Sequence, residues 1–249
     1  MSQALHRVEI KESGRRISKP CIIVGVPEAG LVGTIACSYL VQQLKLEARG
    51  YIDSDLVPQV MVIHDSVPTY PIRIFGKDGI VVVLSEVPLS PRLSVELAKE
   101  LSRWARAREA RVVVGVSGEP SQKREESQGE DKPTVVGVSN DDRVLKGLKA
   151  LGVLPFEQGL ITGFYASLVK YCNLNRQSNM TLLGESMLQF PDPAAAASVI
   201  DVLSGIIQVK VDTKPLLKES EEVRIRTREL MQQTQQAAQQ TGGSPSAYR

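Results

Sequence analysis

The stretch CIIVGVPEAGLVGTIACSYLV, residues 21–41, carries the reading on which the fold turns. CIIVGV (21–26) is a short continuous apolar run ending in Gly-Val-Pro, as expected of a strand buried on both faces and stopped by a turn. After Pro27 the period changes. Leu31, Val32, Ile35, Ala36, Tyr39, Leu40 and Leu44 recur at three-to-four spacing, the period of an amphipathic helix. The unit is a strand, a glycine turn and a helix. Working outward, VMVIHD (60–65), IVVVLSEV (80–87), RVVVGVSG (111–118) and PTVVGVS (133–139) repeat the buried-strand signature, while YPIRIF (70–75) alternates like an edge or hairpin strand. Leu93, Leu97, Leu101, Trp104 and Ala105 predict a helix over 92–109. A further helix over 141–150 has Asn140 as its expected cap and Gly152 as its stop. QGLITG (158–163) and MTLLGES (180–186) read as strands around a helix at 164–172, and PDPAAAASVIDVL (191–203) opens a helix with prolines and an acid.

Strands alternating with helices imply an α/β fold, a mostly parallel sheet sandwiched by helices, over about residues 18–211 behind an N-terminal segment 1–17. SGEPSQKREESQGEDKP (117–133) has the composition of a mobile surface loop. After Pro215, as far as Gln240, there is no Gly, Pro or strand signal. The segment 212–240 therefore reads as a long polar C-terminal helix, with Leu216, Val223, Leu230 and Ala237 recurring every seven residues. Residues 241–249, TGGSPSAYR, read as a flexible tail.

The composition narrows the function. Among 249 residues, 30 Lys+Arg against 28 Asp+Glu leave a net charge of +2, which argues against a nucleic-acid binder. No apolar run reaches the ~18 residues of a membrane span and the N-terminus has no apolar signal core, so a cytoplasmic protein is expected. Cys21, Cys37 and Cys172 have no C-x-x-C spacing and read as reduced core thiols. With only His6 and His64 in the chain, imidazole catalysis has almost no raw material. His64-Asp65-Ser66 offers triad letters, but neighbours on a strand point to opposite faces, so His64 is expected to be an ordinary hydrogen-bonded strand end. Glu86 and Glu185 near other strand ends receive no catalytic role. Arg103, Arg106, Arg108 and Arg111 read as a solvated helix face.

The turn Gly25-Val-Pro27-Glu-Ala-Gly30-Leu-Val-Gly33 stands where an α/β protein cradles phosphate. The dinucleotide fingerprint needs glycine where Glu28 stands, and a P-loop needs Lys and Ser/Thr where Leu31 and Val32 stand. Glu28 would also repel an anion. Tight turning and close helix-to-sheet approach are the expected roles of Gly25, Pro27, Gly30 and Gly33. A small-molecule or nucleotide site at this turn is the competing reading, and a scaffold whose C-terminal helix pairs with another protein is a third.

IIVGVPEAGLVGTIACSYLV, QGLITGFYASLV and MTLLGES followed by FPDPAAAASVIDVL together resemble the proteasome assembly chaperone family in its archaeal form, over about 20–211. Its most specific pieces here are Val26 to Gly33 and Pro191 to Ala196. The resemblance implies a non-enzymatic fold similar to nucleoside phosphorylases, with no cofactor and no ATP requirement. It also implies self-association, with a paralogous family member as a further candidate partner, and action on the α-subunits of the proteasome core. Ala247-Tyr248-Arg249 then matches the C-terminal hydrophobic-tyrosine-any residue (HbYX) motif that docks between α-subunits. Ala247 takes the hydrophobic position, Tyr248 is the penultimate tyrosine and Arg249 supplies the free carboxylate. Assembly chaperone and core-particle activator remain open alternatives at this point.

Overall fold

Every residue of the run 21–25 is buried because both faces of its sheet are covered, and its alternate side chains feed two separate cores. The computed structural model describes residues 8–127, 132–188 and 190–218. In chain order the strands are β1 (Glu9–Glu12), β2 (Cys21–Gly25), β3 (Glu47–Asp53), β4 (Val62–His64), β5 (Val67–Thr69), β6 (Ile72–Lys77), β7 (Ile80–Ser85), β8 (Val112–Pro120), β9 (Val135–Ser139), β10 (Leu154–Pro155) and β11 (Asn179–Ser186). The helices are α1 (Val32–Gln43), α2 (Pro91–Ala107), α3 (Gln122–Glu126), α4 (Asp142–Ala150), α5 (Gly163–Leu174) and α6 (Pro193–Ile207).

Nine strands form one sheet in the order β1, β3, β6, β7, β2, β8, β11, β9, β10. The central β7, β2, β8 and β11 are parallel, and the antiparallel pairs lie toward the flanks. This is the expected α/β sandwich with a mostly parallel centre. Ile23, Val82, Val114 and Leu182 face the side covered by α1 and α6. Ile22, Val24, Val81, Val83 and Val113 face the side covered by α2 and α5. Helix starts follow local chemistry. Ser90 caps α2 by accepting from the Leu93 N–H at 3.3 Å, with Pro91 next in line. Asp192 does the same for α6 through the Ala195 N–H at 3.0 Å, ahead of Pro193.

Several expectations are corrected. Residues 60–65 are not a buried strand: β4 and β5 form a separate hairpin, closed by Asp65 and Ser66 at positive φ, on which Ile63 is 60% exposed. QGLITG is irregular chain, whereas the short β10 falls just before it. The cap of α4 is Asp141, which accepts from the Arg143 N–H at 2.9 Å, and not Asn140. Residues 9–12, placed ahead of the domain, join the sheet as β1. The loop reading of 117–133 fails over its first part, since β8 runs to Pro120 and α3 follows. Arg108 is not a solvated side chain; it stacks over Trp104 at 4.3 Å and pairs with Glu12. Packing continues past residue 211, with Leu216 buried in the α1/α6 core and a helical turn at 214–218. Val223, Leu230 and Ala237 lie outside the described residues. The three cysteines are free and buried.

Candidate functional site

The turn after β2 must end a strand buried on both faces and start a helix that runs back over the same sheet. That return requires missing side chains. A Cβ on Gly25 would stand 2.2 Å from the Gly33 carbonyl oxygen and 2.6 Å from Cys37 Sγ. One on Gly33 would stand 2.3 Å from the Val116 oxygen and 2.9 Å from Tyr165 Oη. Gly30 lies at φ +60°, and a Cβ there would meet Ser186 Cβ at 2.8 Å. Leu31 follows at φ +50°, an unusual conformation for a branched side chain, and its residue is exposed.

Tyr165, near the start of α5, locks this junction. Its hydroxyl donates to the Val116 carbonyl of β8 and accepts from the Val26 N–H at 3.1 Å. Burial first, with the Glu28 charge adding to it, pushes the phenol well above its ordinary range. The proton therefore stays on the oxygen, and the donor side of the clamp is permanent. The ring crosses Gly115, where a Cβ would lie 2.7 Å from Tyr165 Cδ1. Sequence reading placed Tyr165 only on a helix. The signal that it is a clamp is the juxtaposition of Gly33 and Gly115, which exists only in three dimensions.

Glu28 points to the first turn of α5. Its Oε2 accepts from Ser117 Oγ at 3.1 Å, and its Oε1 would lie 2.9 Å from a Cβ on Gly163, itself at φ +64°. Thr162, the N-cap residue of α5, makes no side-chain capping bond, so the Glu28 carboxylate is the anion at this helix end. Burial raises its pKa, with Ser117 and the Phe164 N–H opposing. A group raised in the folded state is destabilising once pH exceeds its unfolded pKa, and the cost grows until it ionises in the fold as well. Glu28→Gln is therefore expected to gain stability relative to the parent as pH rises through the carboxylate range. Urea melts from pH 4 to 7 check this, and a pH-independent difference would contradict it.

Beside Glu28 opens a depression of about 340 Å³ at the carboxyl ends of β8 and β11, lined by Ser117, Glu119, Leu160, Thr162 and Tyr165 among others. This is where ligands of open α/β sheets usually sit, but the acidic residues that line it are Glu28 and Glu119 and, among the described residues, no basic one does. It is unsuited to phosphate. Leu160 on its rim is 90% exposed. The turn is tied to the next element by the Asp192 N–H, which donates to the Gly30 oxygen at 2.8 Å. Asp192 also accepts twice from Arg124 Nη2, at 2.9 and 2.8 Å, and both residues are only 1% exposed. This ion pair was hidden inside a segment that reads as a polar loop.

Gly25, Pro27, Gly30 and Gly33 thus converge on one junction. Ala247, Tyr248 and Arg249 lie outside the described residues. His64 forms no relay with Asp65 and Ser66; its Nε2 lies 3.0 Å from Glu86 Oε1 and 2.9 Å from Arg73 Nη2. Glu185 accepts from the Thr134 N–H at 3.1 Å. Among the described residues, no helix is long and apolar enough to cross a membrane.

Fold and junction together define an α/β sandwich built around a helix–sheet contact of minimal side chains. The chain belongs to the PAC2 family, whose model matches residues 22–231. Its fold is that of PbaA from Pyrococcus furiosus, described as an archaeal homolog of proteasome-assembly chaperone: TM-score 0.82, 30% identity, 94% of this chain and 96% of that one. PbaB from the same organism, described as an archaeal proteasome activator, superposes with TM-score 0.79 at 20% identity over 91% of this chain and 100% of that one. An uncharacterized protein of Methanocaldococcus jannaschii is 25% identical over 90% of each chain.

Proposed function

We propose that this chain is an oligomeric, ATP-independent proteasome-binding protein, an assembly chaperone or core-particle activator, anchored by Ala247, Tyr248 and Arg249. The observation that carries the reading is the near full-length likeness to PbaA at 30% identity. PbaB, with the activator description, supports the same fold at lower identity. The tail chemistry is consistent with the role. A penultimate tyrosine offers a rigid apolar ring with one polar tip, and the terminal carboxylate offers a charge that a pocket lysine can pair with. Both exist together only at a chain end. In an oligomer several tails would face one ring, and linked weak contacts gain about 10²–10⁴ in avidity where geometry lets them engage together. The nucleotide alternative at the Gly25–Gly33 turn is weakened by Glu28, whose carboxylate beside the turn would repel a phosphate.

The test is binding of the full chain to an archaeal-type proteasome core by surface plasmon resonance, with peptide hydrolysis followed in parallel. Tyr248→Ala is expected to weaken binding by roughly 30-fold or more, the loss typical of an aromatic hot spot. A rise in hydrolysis with the parent chain identifies an activator, and binding without it an assembly factor. Equal binding of parent and variant would remove the tail from the mechanism.

A further inference from the structure

Residues 13–17 leave β1 and fold over the α2 face of the sheet at its antiparallel flank. The Ser13 N–H bonds the Arg49 oxygen at 2.8 Å, and Ile17 packs on the core that contains Ile74 and Val81. Between this loop, β3 and the end of α2 lies a cavity of about 60 Å³. Its floor is apolar, from Ile74 and Val81. Its wall is lined by four basic residues, Arg15, Arg16, Arg49 and Arg108, and one acidic residue, Glu12.

The donors outnumber the acceptors. Each guanidinium has five N–H groups and no acceptor. Arg16 donates to the Ala107 carbonyl, Arg49 to the Gly76 oxygen at 3.2 Å and to Glu47 at 2.8 Å, and Arg108 to Glu12. One oxygen of Glu12 serves twice, because the same Oε2 also accepts from Trp104 Nε1 at 3.0 Å. The Arg108 guanidinium lies over the Trp104 ring, 4.3 Å from its centroid, and is partly desolvated. Among the described residues, the four guanidinium charges on three separate segments meet only two carboxylates, Glu47 and Glu12, and the excess of positive charge favours an anion.

We infer that this cavity is a binding site for a small oxyanion of phosphate size. Its volume of about 60 Å³ leaves room for a small polyatomic ion. Guanidinium forks are the donors that phosphate oxygens accept from most strongly. A bound anion joins the 13–17 loop, β3 and the end of α2, and so fastens the β1 edge of the sheet to the body. The site is remote from the Gly25–Gly33 turn, and it is independent of the proteasome reading.

The experiment is calorimetric titration and thermal melting of the full chain with inorganic phosphate against chloride at matched ionic strength. Saturable binding is expected, with a melting temperature raised by about 3 °C at ten times the dissociation constant. Arg15→Gln with Arg49→Gln is expected to weaken binding at least tenfold. Arg15→Gln alone, on an exposed loop side chain, serves if the double variant does not fold. Arg103→Gln, on α2 outside the cavity, is expected to bind as the parent does. Adenosine monophosphate in place of phosphate separates the sources. Weaker binding assigns the site to free phosphate, and equal or tighter binding to the phosphoryl group of a larger molecule. A shift that never saturates, or that is the same in the parent and the arginine variants, is general salting by phosphate and overturns the proposal.

Discussion

Replacing Gly33 by alanine is expected to destabilise the protein by about 3–5 kcal/mol, a fall in melting temperature of roughly 10 °C. The new methyl group would sit 2.3 Å from the Val116 oxygen, 2.9 Å from Tyr165 Oη and 3.2 Å from the Val26 oxygen. Two of these are backbone atoms in or beside buried strands, and the third is a side chain anchored at both ends of its hydroxyl. None can yield by rotating away. The start of α1 must lift from the sheet, and lifting it breaks the Tyr165 clamp and leaves the Val26 N–H and Val116 carbonyl buried with poorer bonds. Overpacking and lost buried hydrogen bonds therefore act together. Gly147→Ala in α4 is the matched control. Nothing lies within 4 Å of a Cβ there and the position is exposed, so helix propensity alone acts and a gain of about 0.5–1 kcal/mol is expected. Thermal melts of the two variants should move in opposite directions; a Gly33→Ala protein as stable as its parent would show that the junction is not tightly packed.

The parts of this junction differ in how readable they are. Runs such as CIIVG and IVVVLS announce themselves because strands covered on both faces need apolar side chains at every position. The flank was not readable on the same rule. β1 and β3, EIKE and EARGYID, are half exposed and carry charges, and their pairing is decided by tertiary contact. The hairpin β4–β5 misleads in the opposite sense, since apolar Val62, Ile63 and Val67 sit on a surface ribbon. The turn glycines were legible as a turn because Glu28, Leu31 and Val32 stand where a phosphate loop needs other residues. Tyr165, Arg124 and the cap role of Glu28 were not, because each acts on a residue dozens of positions away. Hydrophobic periodicity records burial, and it carries no trace of which buried polar groups meet.

Asp192→Ala is expected to cost about 4 kcal/mol, more than Arg124→Ala, although the two side chains form one ion pair. The asymmetry follows from what each leaves behind. Without the Asp192 carboxylate, the Arg124 guanidinium stays in a site that is 1% exposed, and losing one partner of such a pair typically costs about 3–5 kcal/mol. The same substitution removes the α6 cap at Ala195 and the acceptor for the Met187 N–H at 3.2 Å. Without Arg124, by contrast, Asp192 keeps both of those N–H donors, and about 2 kcal/mol is the expected loss. The damage then concentrates on α3, a five-residue helix too short to persist alone, which is also tied by Glu125 accepting from the Leu188 N–H at 2.6 Å. Arg124→Ala should accordingly speed proteolysis and hydrogen exchange around 121–127 while the central strands stay protected. Asp192→Ala should lower the protection of α6 and of the Gly30 turn, whose carbonyl takes the Asp192 N–H. Denaturant melts and exchange on both variants and the double variant close the cycle. Equal costs for the single variants would mean that the pair, and not the carboxylate's wider set of donors, holds this corner together.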